Sequence, residues 1–234
     1  MIGGRWRRIS GVLAAVCWTL AGMTAVILMI AGDAGLLTRE MRTFAPAETT
    51  GLPAAEYEGV GRMIADYLTD RRESFQYFYS GGPEGTEIQC FQPHEEAHMA
   101  DVRELIRLDR TVMVVALGIG MMATAAGLLP RGKRELFWRG VRSGLRGLAI
   151  LGAVLLIWAL VNFDGFFVTF HRLAFRNDGW LLDPRTDLLI RLMPIGFFIS
   201  LGWKGAAAVM TVPMMLTAAE RLALRKRKET TDDL

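Results

Sequence analysis

The side chains best suited to chemistry are two histidines, His98 and His171, which each lie close to the end of a long apolar run. Histidine titrates near neutral pH, so one imidazole can take a proton and return it within a catalytic cycle. A carboxylate would share a helix face with each of them: Asp101 follows His98 by three residues, and Asp164 precedes His171 by seven. Such a carboxylate could orient an imidazole, as in a catalytic triad. Each histidine is therefore a candidate for acid–base chemistry, and a four-helix arrangement can bring the two together.

A different chemistry is suggested by the segment His94-Glu95-x-x-His98, which satisfies the pattern of zinc peptidases. In that pattern the two histidines bind the metal and the glutamate acts as the base. The third ligand would have to come from elsewhere in the fold, and His171 is a candidate. A membrane metallopeptidase therefore remains open as an alternative. A membrane scaffold without enzymatic activity also remains open, and for it none of these histidines would matter.

Four apolar runs must position these side chains. A membrane-spanning helix needs about 20 mostly apolar residues. Four runs have about that length, at Ser10–Ile30, Thr111–Leu129, Leu145–Val161 and from about Leu192 to Leu216. The mean hydropathy of the chain is +0.28. Its hydrophobic fraction, 52%, exceeds the apolar fraction of ordinary soluble domains. The first run is longer than the apolar region of a signal peptide, so we expect an uncleaved anchor. The sequence predicts an all-α membrane protein with four transmembrane helices and a small extracellular cap.

Basic residues predict how the helices are oriented. Lys and Arg cluster before the first run, between the second and third, and after the fourth, and such clusters mark the cytoplasmic side. Because the positive charge is accounted for by these flanks, no nucleic-acid partner is implied. The resulting organisation has four parts: a first transmembrane helix with a cytoplasmic N-terminus (1–31), an extracellular cap (32–110), transmembrane helices two to four with a short extracellular segment at 162–191 (111–216), and a cytoplasmic basic tail (217–234).

Local patterns predict the structure of the extracellular parts. Apolar side chains at helical spacing predict an amphipathic helix over 57–68. The aromatic and polar stretch around Gly81-Gly82-Pro83 suggests a short strand pair. The residues from Glu95 onward predict a helix that leads into the second span and carries His98. Cys17 and Cys90 lie in different environments, which argues against a disulfide.

The short extracellular segment has its own signals. Trp180 and the neighbouring phenylalanines fit an aromatic belt at the membrane interface. Asp183-Pro184 predicts a turn, and Asp187 is expected in the first turn of the last helix. Lys204 lies inside the fourth apolar run, where a charge is costly; we expect it to snorkel or to fill a polar crevice.

Three stretches resemble segments of the bacterial lipoprotein intramolecular transacylase family. The matching residues are Phe91, Glu95, His98, Met99, Asp101 and Val102 in the first, Phe163, Asp164, Phe167, Phe170, His171 and Phe175 in the second, and Trp180, Asp183, Pro184, Thr186, Asp187, Leu189, Ile190 and Pro194 in the third. Their order and spacing, the chain length and the four-span layout all agree. The likeness extends from the first span to Phe198.

The resemblance implies a reaction. Members of the family move an acyl chain from the glyceryl sn-2 oxygen of a diacylglyceryl-lipoprotein to the α-amino group of its N-terminal cysteine, which gives the lyso-form lipoprotein. The likeness implies a monomer in the bacterial cytoplasmic membrane, surrounded by membrane lipids, with its active site facing outside and no cofactor or metal. It favours His98 and His171 as catalytic residues, and it leaves open which is base and which is acid. The supporting residues it implies are Asp101, Asp164, Trp180, Asp183 and Asp187.

Overall fold

The computed structural model describes residues 2–129 and 134–232, and for Ile2, Gly3, Glu84 and residues 224–232 it describes the backbone alone. Arg131 and Lys133, which belong to the second predicted basic cluster, lie outside the described residues. The described chain is predominantly helical. Its helices are α1 (Ile2–Gly32), α2 (Ala34–Phe44), α3 (Ala47–Thr50), α4 (Tyr57–Leu68), α5 (Pro93–Leu128), α6 (Arg134–Val161), α7 (Phe163–Ala174), α8 (Leu188–Leu192), α9 (Ile195–Val209) and α10 (Thr211–Asp232), and its strands are β1 (Phe78–Ser80) and β2 (Glu87–Gln89).

Four helical stretches in the described part are long and apolar enough to cross a membrane. They are Gly4–Gly32, Pro93–Leu128, Arg134–Val161 and Ile195–Ala223. No more than 28% of the apolar window of any of them is buried within the protein. Exposed apolar surface on this scale requires a lipid environment. The predicted all-α class and the four transmembrane helices are therefore confirmed.

The fourth span begins close to the predicted residue, whereas the prediction that Asp187 lies in the first turn of the last helix is wrong. Leu188–Leu192 form the separate short helix α8, and the apolar helix α9 begins only at Ile195. Pro194 explains the break, because proline has no N–H to donate and its ring crowds the preceding turn. Asp187 consequently precedes α8 as its N-cap residue and does not lie in the first turn of the last helix.

One compact unit comprises residues 1–25, 111–166 and 206–234. Its core is small and alanine-rich on α1, where Ala14 and Ala15 are buried. The backbones of α1 and α6 touch in this unit: a Cβ added at Gly11 would meet the carbonyl of Phe137, and one added at Gly140 would meet that of Arg8. Small residues allow such an approach between membrane helices.

The second compact unit comprises residues 26–110 and 167–205. The predicted amphipathic helix at 57–68 is α4, and the apolar side chains that predicted it are buried here. Helix α4 packs on α2, which the sequence analysis did not predict. At the start of α4, the buried Tyr57 hydroxyl donates to the Ala45 carbonyl at 2.5 Å, and this bond fixes the chain between α2 and α4.

The suggested strand pair is also present in this second unit. Strand β1 pairs antiparallel with β2, with Phe78 opposite Gln89 and Ser80 opposite Glu87. The pair directly precedes α5, and Phe91 between them is buried against the Phe75 ring at 4.9 Å. The strands therefore fix the point from which the His98-bearing helix starts. Both cysteines are free.

Lys204, the charged residue within the fourth span, forms an ion pair in the structure. Lys204 Nζ lies 2.9 Å from Glu40 Oε1 and donates to Ser200 Oγ at 2.5 Å. The Glu40 side chain is only 8% exposed, whereas that of Lys204 is half exposed. A nearly buried carboxylate on α2 is thus neutralised by α9 within the second unit.

Candidate active site

His171 occupies the last turn of α7 and is buried among aromatic rings. Its Nδ1–H donates to the carbonyl of Phe167 at 2.8 Å, one helical turn earlier. A carbonyl can only accept, so this bond places the proton of the neutral ring on Nδ1 and leaves Nε2 as a hydrogen-bond acceptor. The rings within 5.5 Å of the imidazole, centroid to centroid, belong to Phe167, Phe170, Phe175 and Trp180.

The same surroundings set the protonation state of His171. Burial lowers the pKa of its imidazole below the ordinary 6.5, and the hydrogen bond to Phe167 offsets only part of that effect. The ring is therefore neutral at neutral pH. A neutral imidazole with Nε2 unprotonated is the form that can act as a general base.

His98 faces His171 from the second turn of α5. Their ring centroids are 6.3 Å apart, and both side chains are less than a tenth exposed. The Nδ1 atom of His98 is buried and has no hydrogen-bond partner among residues 2–129 and 134–232. A buried polar atom without a partner is costly, and such atoms concentrate at functional sites. The structure thus brings the two predicted catalytic histidines together.

The carboxylates expected to orient the imidazoles have other surroundings. Asp101 Oδ2 accepts from the side-chain amide of Asn177 at 2.9 Å, and Asn177 Oδ1 in turn accepts from the Gly179 N–H at 2.9 Å. Asp164 is exposed in the first turn of α7. Asp101 therefore holds the loop that follows α7, and its partner Asn177 carries no signal in the sequence that could have revealed it.

The linker loop (residues 175–187), which joins α7 to α8, contains the other supporting residues. The ring of Trp180 contacts the His171 ring, with centroids 5.1 Å apart. Asp187 is 2% exposed and accepts from the Thr186 hydroxyl at 2.7 Å and the Asp183 N–H at 2.8 Å. Asp183 itself forms a surface ion pair with Arg185 at 2.7 Å. The two aspartates thus shape the end of the loop.

The Asp187 carboxylate also contacts a histidine side chain. His94 Nε2 lies 2.9 Å from Asp187 Oδ2. Burial raises the pKa of the Asp187 carboxyl, but the hydrogen bonds from Thr186 and His94 outweigh it, so that pKa lies below the ordinary 3.8. Asp187 is therefore an ionised, fully satisfied carboxylate.

Glu95 is a buried residue that belongs to the first family motif but was not among the predicted catalytic or supporting residues. Its side chain is completely buried, and its two oxygens accept from the Gln92 N–H and the Leu189 N–H, each at 2.7 Å. The first bond is half of a capping box at the start of α5. Proline at the first position of a helix and glutamate at the third, as at Pro93 and Glu95, signal such a start.

The residues of the HExxH match do not fit a zinc centre. Both carboxylate oxygens of Glu95 are occupied by backbone N–H groups, so it is not free to activate a metal-bound water. His94 binds Asp187, whereas His98 faces His171. In the part of the chain that the structure describes, no three His, Cys, Asp or Glu side chains come together as metal ligands. The geometry therefore gives no support to the peptidase alternative.

Fold and site together define a class: an integral membrane protein with four spanning helices and a buried pair of histidines. The sequence profile of the family described as lipoprotein intramolecular transacylase Lit matches residues 12–198. Because that match covers most of the chain, the protein belongs to the lipoprotein intramolecular transacylase family and is an acyltransferase. No curated protein sequence matches the chain.

Solved structures show the same fold. The in meso structure of the membrane-integral lipoprotein intramolecular transacylase Lit from Bacillus cereus matches with a TM-score of 0.75 at 18% identity, covering 97% of this chain and 99% of that chain. A form of that protein with one histidine replaced by arginine gives 0.73 over 97% and 96% of the two chains. The form with alanine there also gives 0.73, over 97% of each chain. The predicted four-span architecture is thus shared with these proteins.

Proposed function

We propose that this enzyme moves the sn-2 acyl chain of a diacylglyceryl-lipoprotein to the α-amino group of its N-terminal cysteine. The observation that carries the proposal is the buried pair of His98 and His171, with the His171 tautomer fixed and His98 Nδ1 unpartnered in the described part. Family membership supplies the substrate class and the type of transfer. The product is a lyso-form lipoprotein that carries an N-acyl chain.

The two histidines have complementary parts in this reaction. His171 Nε2 takes a proton from the attacking amine, which forms the C–N bond at the ester carbonyl. That proton passes from His171 to His98, which steadies the oxyanion and then protonates the departing glyceryl oxygen as the C–O bond breaks. The amine loses one proton and the glyceryl oxygen gains one, so the protein ends in its starting state. Donor and acceptor belong to one substrate, so proximity is largely built in.

Apolar side chains beside His171 suit a substrate with acyl chains. Phe170 contacts the His171 ring and is 51% exposed, and Leu173 is 83% exposed on the same short helix. Such side chains present apolar surface to a lipid substrate next to the reacting groups. The basic flanks support an orientation in which this site faces the outside of the bacterial cytoplasmic membrane.

The test is mass spectrometry of a diacylglyceryl lipopeptide incubated with the purified protein in detergent. Unchanged mass with the acyl chain relocated to nitrogen is expected. His98→Ala and His171→Ala should each lower the rate by about 100-fold or more, because general acid–base catalysis contributes that much. His94→Ala should stay within about threefold of the parent protein, because it removes neither acid nor base. Peptide cleavage, or an unmoved acyl chain, would refute the proposal; joint loss of bound metal and activity in His94→Ala would favour a peptidase.

A further inference from the structure

We propose that Glu95 and Asp101 are positioning residues that fasten the linker loop to α5 on both sides of His98 and thereby set the distance between the two histidines. The catalytic part of this inference rests on the proposed function, whereas the fastening itself does not. Both carboxylates lie three residues from His98, one before it and one after it. On a helix, residues at this spacing share a face.

The first attachment joins the start of α5 to the start of α8. Glu95 Oε1 accepts from the N–H of Leu189, which is 94 residues away in the chain. Leu189 is the second residue of α8, and the N-cap residue of that helix, Asp187, makes no side-chain capping bond. Glu95 therefore provides from another helix the cap that α8 lacks in its own sequence.

The second attachment lies at the other end of the linker loop. Asp101 Oδ2 accepts from Asn177 Nδ2 at 2.9 Å, across 76 residues. Asn177 also folds the loop locally, because its Oδ1 accepts from the Gly179 N–H. Trp180 follows Gly179 in the chain, and its ring contacts the His171 ring. The loop is therefore bound to α5 before and after the segment that encloses the histidine.

These attachments bear on catalysis through geometry. His171 lies in the last turn of α7, four residues before the linker loop begins. The Phe175 ring at the start of the loop contacts both imidazoles, with ring centroids 5.3 Å from His98 and 5.5 Å from His171. A loop released from α5 would free Phe175 and Trp180 to move away from the pair. Misplacement of reacting groups by about 1 Å can lower a rate by about 100-fold.

The chemistry of Glu95 makes the inference testable by a single atom change. Each of its oxygens accepts from a different backbone N–H, so the role needs two acceptors on one side chain. Glutamine has the same shape but offers one acceptor, and its amide group would face an N–H donor. The Gln92 N–H is three residues away on the same helix start and keeps the single acceptor, so Glu95→Gln should release Leu189 and with it α8. Glu96→Gln is the matched control, because the neighbouring Glu96 accepts from the exposed Gln89 side chain at 3.0 Å and holds no part of the linker loop in the described structure.

The experiment compares these variants as full-length protein in detergent. Hydrogen–deuterium exchange over residues 176–190 reports whether the linker loop is fastened, and kcat and KM for a diacylglyceryl lipopeptide report whether the site is positioned. Glu95→Gln should exchange faster in that segment and lose about 10–100-fold in kcat, with KM within about twofold. Glu96→Gln should change neither quantity. Asn177→Ala, a change at an exposed position, should act in the same direction through the second attachment.

Several results would overturn the inference. One is a Glu95→Gln protein with parental exchange over 176–190 or with kcat within about threefold of the parent. Another is an equal loss of kcat in Glu96→Gln. If Glu95→Gln does not fold, parental exchange and kcat in Asn177→Ala would overturn it. If the parent protein moves no acyl chain, the proposed function fails, and the exchange of the variants alone decides whether these carboxylates fasten the loop.

Discussion

At the scale of single residues, burial decides what the site histidines can do. The hydrogen bond from His171 Nδ1 to the Phe167 carbonyl selects the tautomer, and the aromatic rings keep the imidazole neutral. A general base must be unprotonated at working pH and must present its lone pair to the substrate. The His171 ring is neutral and its Nε2 is unprotonated, which is why we propose it as the acceptor of the amine proton and propose that His98 steadies the oxyanion.

This environment predicts a pH dependence. The base form of His171 is the deprotonated one and its pKa lies below 6.5, so activity should persist below pH 6.5 and fall as the pH drops through the lowered pKa. Trp180→Ala admits water to the His171 imidazole, so the pKa of His171 should rise towards 6.5. The acid limb of the activity profile should then move to higher pH. The kcat/KM profile of a lipopeptide measures this shift. Trp6→Ala, at an exposed position, is the control; an unmoved acid limb in Trp180→Ala would contradict the assignment.

At the scale of elements, two helices carry most of what the site needs. Helix α5 places Glu95, His98 and Asp101 on one face, and α7 presents His171 from its last turn. Helix α2 is held to α9 by the pair of Glu40 and Lys204. A buried carboxylate that loses its partner is strongly destabilising, whereas removing both charges costs less. The charge in the fourth span is thus structural in this fold.

The Glu40–Lys204 pair predicts a non-additive stability change. Lys204→Met leaves the Glu40 carboxylate buried without its cation, so the free energy of unfolding should fall by about 1–3 kcal/mol, less than for a fully buried pair because Lys204 is half exposed. Adding Glu40→Gln should restore part of that loss. Thermal unfolding in detergent measures both changes, with the exposed Glu48→Gln as a neutral control. Strictly additive losses in the double variant would show that the two side chains do not interact.

At the scale of the whole molecule, apolar length and flanking charge describe how the chain meets the membrane. Four helical stretches of spanning length are present, and their exposed apolar surfaces need lipid. An even number of spans returns the chain to the side from which it started. The basic residues near both termini then favour a cytoplasmic location for each. This orientation would place the start of α5, and with it His98, on the outer side.

The orientation can be tested with single cysteines. In a protein with Cys17 and Cys90 replaced by alanine, Ser80→Cys in β1 should react with a membrane-impermeant thiol reagent in intact spheroplasts. Thr230→Cys in the basic tail should react only after lysis, because the bilayer separates it from the reagent. Gel-shift labelling measures both. The reverse pattern would contradict the positive-inside assignment.

Several features were predictable because they depend on neighbouring residues. The lengths of the apolar runs gave the four spans, helical spacing gave α4, and a Gly-Gly-Pro break between short runs gave the pair of β1 and β2. Motif spacing that resembled a known family singled out His98 and His171, and the family assignment is confirmed. Helix α2 and the break at Pro194 were missed, although α2 places Leu37 and Met41 at helical spacing and proline is a known helix breaker.

The amino-acid sequence by itself therefore determined the membrane class and the family, and it singled out the two histidines as candidates. Only the tertiary structure decided what surrounds them: the carbonyl that fixes the His171 tautomer, the Asn177 partner of Asp101 and the two backbone groups held by Glu95. The physical reason lies in sequence separation. Periodicity and apolar length act within a window of about 20 residues, whereas the hydrogen bond from Leu189 to Glu95 joins groups 94 residues apart and exists only once the chain has folded.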